Sequence, residues 1–71
     1  MNSAEYRAVI AELGLTQTAA ARLLGVSPRT SRKWACDETD IPGPAARLLR
    51  LMIAAKITPQ RVAKLIGNSE D

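Results

Sequence analysis

The sequence predicts an all-α, single-domain protein of five short helices, on three observations. Apolar residues recur at helical spacing, and β-branched residues nowhere alternate along the chain as a half-buried strand requires. Capping and stop signals punctuate it: Asn2, Thr16, Ser27-Pro28, Pro44 and Thr58-Pro59 open segments, and Gly14, Gly25 and Gly67 close segments. Seventy-one residues without repeat, linker or low-complexity stretch make one domain, near the lower limit for a self-standing core.

Each element follows from its own residues. The first helix is expected from about Ser3 to Leu13, with Asn2 as cap and Glu5, three residues on, completing a capping box. Tyr6, Val9, Ile10 and Leu13 share its apolar face, and Gly14 ends it. Thr16 caps a second helix, Gln17 to Leu24, which offers Ala20, Ala21, Leu23 and Leu24 for burial before Gly25 breaks it. Ser27-Pro28 pairs a side-chain cap with proline at the first helical position, so a third helix runs from Pro28 to about Ala35. An acidic loop and Ile41-Pro42-Gly43-Pro44 follow, and Pro44 opens a fourth helix reaching about Lys56. Thr58-Pro59 starts the last helix, whose apolar side is Val62, Leu65 and Ile66 and which Gly67 stops; the tail Asn68 to Asp71 is expected to be disordered.

Composition excludes several classes. Cys36 is the single cysteine and there is no histidine, so neither an internal disulfide nor a structural zinc site is expected. No nucleophile–base pair and no Gly-rich phosphate loop is present, which argues against an enzyme and against a cofactor. No apolar run approaches the roughly 20 residues of a membrane span, and the first residues lack the order of a signal peptide. The expected location is the cytoplasm, in association with the nucleoid. The net charge is +3, but charge is segregated. Leu13 to Cys36 holds Arg22, Arg29, Arg32 and Lys33 with no acid, and Ile41 to Ser69 holds five more bases with none. The acids sit at Glu5, Glu12, Asp37, Glu38, Asp40, Glu70 and Asp71, which points to one basic face suited to nucleic acid.

The chemistry is concentrated in the stretch from Gln17 to Trp34, two short helices joined by a tight turn. Ala21 stands where the helices cross, Gly25 where positive φ is needed, and Leu24, Val26 and Trp34 fill the wedge beneath. With Val26 and Trp34 inward, Arg29, Arg32 and Lys33 face outward, with Ser27 and Thr30 alongside. A DNA major groove admits one helix and displays acceptors that Arg and Lys read, guanine N7 and O6 above all. Gln17, opening the preceding helix, is placed to hold a phosphate with its amide and the helix N-terminus.

Residues 15 to 36, with the motif itself at about 16–36, resemble the Cro/phage-repressor (XRE-type) helix-turn-helix of lambda-repressor-like regulators. The Thr16-Gln17 opening, Ala21, Gly25, Val26-Ser27-Pro28-Arg29-Thr30 and the closing Trp34 carry the likeness. It implies a compact five-helix DNA-binding domain over residues 1–71 and a sequence-specific regulator of transcription, commonly a repressor, bound as a homodimer to an inverted repeat. By carry-over, Gln17 is the backbone clamp and Ser27, Arg29, Thr30, Arg32 and Lys33 form the groove-facing set. Two departures stand out. Ser31 occupies an inward position where such proteins usually carry Val or Ile, so it is expected to bond back to the preceding turn or leave a looser contact. Asp37-Glu38-Thr39-Asp40 follows the third helix where relatives often approach a phosphate, and three acids there speak against such a clamp.

The fourth helix is apolar over more than the ~100° stripe one core contact needs. The excess is assigned to a symmetric dimer through Leu48, Leu51, Met52, Ala55 and the last helix, holding two recognition helices roughly 34 Å apart. Free-standing domains of this size resemble phage or bacterial regulators and the antitoxin halves of toxin–antitoxin pairs. The rival reading is therefore a protein-interaction module, or antitoxin-like partner-binding protein, on the same fold.

Overall fold

A computed structural model describes residues 1–66, all-helical apart from turns and loops. Five helices follow one another: α1 (Ser3–Glu12), α2 (Gln17–Leu24), α3 (Pro28–Ala35), α4 (Gly43–Ala55) and α5 (Pro59–Ile66). Among the described residues there is no strand, and no helix is long and apolar enough to cross a membrane. Gly67 and the tail from Asn68 to Asp71 lie outside the described residues.

The starts form as their residues dictate. The Asn2 side chain accepts from the Glu5 N–H at 2.8 Å while the Glu5 carboxylate accepts from the Asn2 N–H at 3.2 Å, a complete capping box. Thr16, Ser27 and Thr58 each accept from a backbone N–H three residues on, at 3.0, 3.2 and 3.1 Å. The fourth helix begins at Gly43 rather than Pro44, with Pro42 as an extended cap that makes no side-chain bond.

The ends share one device. After each of α1 to α4 a residue turns left-handed, and its N–H and the next fold back onto the final carbonyls. After α2, Gly25 lies at φ 75°, and the Val26 N–H reaches the Ala21 carbonyl at 3.0 Å. A Cβ at Gly25 would meet open space, so the torsion and not crowding selects glycine there. Asp37 at φ 62° and Lys56 at φ 56° hold the same conformation after α3 and α4 without being glycine. That turn ends α4 at Ala55, one residue short of the expected limit.

The core has two adjoining parts. In one, Tyr6, Ile10, Ala20, Trp34, Ala35 and Leu49 bring α1, α2, α3 and α4 together; in the other, Leu23, Met52 and Val62 join α2, α4 and α5. Half-buried Leu13 and Leu15 pack against both. Ala20, Ala21 and Ala35 are buried, small enough for the helices around them to approach closely. The α5 helix is held by less than its pattern suggested: Val62 is buried, whereas Leu65 and Ile66 are 70% and 59% exposed. Met52 must be withdrawn from the expected dimer surface, because it is fully buried within the subunit's own core and has no face to offer. Leu48 is half-buried, and Leu51 and Ala55 are exposed.

Ser31 follows neither course expected of it. It is fully buried, and its Oγ hydrogen-bonds the Tyr6 phenol 2.5 Å away on α1, 25 residues distant in sequence. The Tyr6 ring meets Trp34 edge to face, with centroids 5.7 Å apart and planes at 87°. The Arg7 guanidinium, next along α1, donates to the Ala35 carbonyl in the last turn of α3. Ser31, Trp34 and Ala35 lie at i, i+3 and i+4, so α1 grips one face of α3.

Burial pushes the Tyr6 phenol above its ordinary value near 10, against a smaller opposing effect of the Ser31 hydrogen bond. The native state then keeps its phenolic proton at a pH where the unfolded chain has lost it. Tyr6 therefore leaves stability flat below about pH 10 and lowers it as pH rises further. Three outcomes are expected. Tyr6→Phe and Ser31→Ala should each cost about 1–2 kcal/mol in urea unfolding, and the double variant less than their sum. Tyr6→Phe should also flatten the stability-against-pH curve above about pH 10. Lys56→Gly should gain about 0.5–1 kcal/mol, read as a higher melting temperature, by relieving a left-handed non-glycine residue.

Candidate nucleic-acid interface

The α3 helix presents a defined outer side because its inner side is fully committed. Ser31, Trp34 and Ala35 are buried, Thr30 and Lys33 are half-buried at the edges, and Pro28, Arg29 and Arg32 are exposed. Beside this side lies the start of α2. Gln17 and Thr18 from α2 and Pro28, Arg29 and Arg32 from α3 line one open cleft of about 400 Å³. Two guanidinium groups and no acid line it. The first two N–H groups of α2, those of Gln17 and Thr18, have no partner among the described residues, because Thr16 takes the next two through Oγ1 and its carbonyl. An anionic oxygen entering the cleft would meet these N–H groups from one wall and Arg29 or Arg32 from the other.

Gln17, Arg29 and Arg32 of the expected set therefore come together. Ser27, Thr30 and Lys33 do not line the cleft. Ser27 and Thr30 are occupied with each other: Ser27 Oγ accepts from the Thr30 N–H and lies 3.0 Å from Thr30 Oγ1, so one hydroxyl donates to the other. This pair stiffens the first turn of α3 and leaves a single hydroxyl proton for any other acceptor. Lys33, in the last turn, is half-buried.

Two cleft residues were missed from sequence. Thr18 adjoins Gln17 at the start of α2, and Pro28 is the first residue of α3; their positions at facing helix starts were the available signal. The acidic loop stands apart from this cleft. Asp37 and Asp40 share a separate cleft with Glu5, Met1, Asn2, Ser3, Thr39 and Ile41, beside the start of α1. Glu5 also faces Arg50 of α4 at 3.9 Å, an exposed pair of small energetic weight. Among the described residues no cluster of His, Cys, Asp and Glu could hold a metal ion.

Comparison with known proteins gives no matching family model, no matching curated protein and no matching solved structure.

Proposed function

We propose that the chain is a sequence-specific, double-stranded DNA-binding regulator of transcription that lays α3 in a major groove. The observation that carries this reading is the acid-free cleft in which Gln17 and Thr18 of α2 meet Arg29 and Arg32 of α3. In it α2 holds a backbone phosphate while Arg29, beside it, reaches base edges at the opening turn of α3. Thr30, Arg32 and Lys33 extend the contact along the same helix. The buried inner face of α3 leaves no other side to present, so its orientation toward a groove is set before DNA arrives.

The action proposed is repression of a promoter by occupancy, in the cytoplasm on the nucleoid, as a homodimer on an inverted repeat. Leu51 is 54% exposed, and with Ala55, Leu65 and Ile66 it supplies apolar surface that supports a symmetric contact through α4 and α5. The same exposed side chains favour a second reading, a protein-interaction module whose partner covers α4 and α5.

Selection of bound duplexes from a random pool, then titration of the winner at two salt concentrations, separates these readings. An enriched palindrome with half-sites about one turn apart and a steep salt dependence is expected. Absence of binding to any duplex would sink the proposal in favour of the interaction module. On the selected duplex Arg29→Ala should cost about 1–3 kcal/mol and relax one base position. An equal loss on every sequence would make Arg29 a phosphate contact instead. The dimer is tested separately by sedimentation, where a monomer at high micromolar concentration with and without DNA would exclude it.

A further inference from the structure

The C-terminal end of α3 poses a problem that one side chain from another helix solves. A helix leaves its last four carbonyls without internal partners. In α3 the Arg32 carbonyl accepts from the Cys36 N–H at 2.9 Å, that of Lys33 from Glu38 at 2.9 Å, and that of Trp34 from Asp37 at 3.4 Å. The fourth, Ala35, accepts from the Arg7 guanidinium of α1. The local chain is poorly suited to this end, since Asp37, Glu38 and Asp40 place negative charge at the negative pole of the helix. Arg7 brings the opposite charge and a charge-assisted hydrogen bond to the same place.

We propose that Arg7 is a positioning residue for DNA recognition, fixing the angle at which α3 enters the groove through its bond to the Ala35 carbonyl. This inference rests on the DNA-binding reading. Eight residues make α3 about 12 Å long. The turn at Gly25 to Ser27 fixes its first residue, and Tyr6 on Ser31 forms a fulcrum midway. At the far end Trp34 and Ala35 are packed in the core, and the Arg7 bond adds the directional hold that sets the angle of the last turn. With that hold removed, the last turn swings about the fulcrum, and Arg32 and Lys33 swing with it. Contacts to base edges fail when donors move by about half an ångström, whereas contacts to the phosphate chain tolerate such a shift. Arg7 therefore governs discrimination between sequences more than affinity for DNA as such.

The test compares Arg7→Met, which keeps the aliphatic stem and removes the donors, with Arg7→Lys, which keeps one donor and the charge. Binding is titrated on the selected duplex and on a scrambled one over a range of salt. Amide hydrogen exchange is followed at Cys36, Asp37 and Glu38 without DNA. The expected result for Arg7→Met is about tenfold loss of discrimination, an unchanged salt slope and faster exchange at those three amides relative to α2. Arg7→Lys should recover part of each change. Parallel loss on both duplexes, with the salt slope smaller by about one, would make Arg7 a phosphate contact and overturn the proposal. So would an Arg7→Lys variant as impaired as Arg7→Met, or no change in either. If the unaltered protein binds no duplex, the DNA reading fails by itself. Exchange then decides: faster exchange at the three amides upholds Arg7 as the anchor of α3, and unchanged exchange overturns that too.

Discussion

The contact on which the rest of the structure depends is the hydrogen bond between Tyr6 and Ser31, buried where α1 crosses α3. An apolar contact there would allow α3 to rotate about its axis by a fraction of a turn with little loss. A donor–acceptor pair in a dry core does not, because rotation leaves both hydroxyls unsatisfied in a medium that penalises this heavily. The register of α3 is thus set by one polar pair, and the Trp34 indole one turn on is held against the edge of the same phenol ring. With that face inward, Arg29 and Arg32 have only the outside left to them. The direction of the basic side chains follows from a bond on the opposite side of the helix.

Most of the fold was legible in the sequence because its boundaries are local events. Asn2, Thr16, Ser27 and Thr58 cap by reaching a backbone N–H three residues away, and such short-range chemistry is visible without knowing what packs where. The positions of Trp34 and Ala21 in the core follow equally from helical spacing. What stayed hidden was tertiary or torsional. Nothing near Ser31 announces a phenol 25 residues upstream, so the serine read as a defect in an apolar stripe when it is half of a specific pair. Met52 read as surplus apolar surface because the depth of the pocket that receives it depends on Leu23 and Val62 of other helices. The end of α4 near Lys56 was readable, but not the left-handed conformation of that lysine, which its own side chain does not favour.

The candidate site was legible to the same extent and for the same reason. Gln17 and Arg29 sit at helix starts whose caps were readable, Arg32 lies one helical turn further along α3, and the three converge. Ser27 and Thr30 were counted as groups facing a ligand, but each satisfies the other first, a local hydrogen bond that competes with outward contact. The charge pattern has a spatial counterpart. Bases gather between the starts of α2 and α3, while Asp37 and Asp40 converge with Glu5 beside the start of α1.

The edge-to-face meeting of Tyr6 and Trp34 has a spectroscopic consequence. The chain holds one tyrosine and one tryptophan, and their rings lie 5.7 Å apart across the seam between α1 and α3. Light absorbed by the phenol passes to the indole at that separation, so tyrosine emission is quenched while the seam is closed. Separation of the rings to several times that distance, as on unfolding, restores it. The intact protein thus carries an optical gauge of the junction that aims its basic helix, readable without a label.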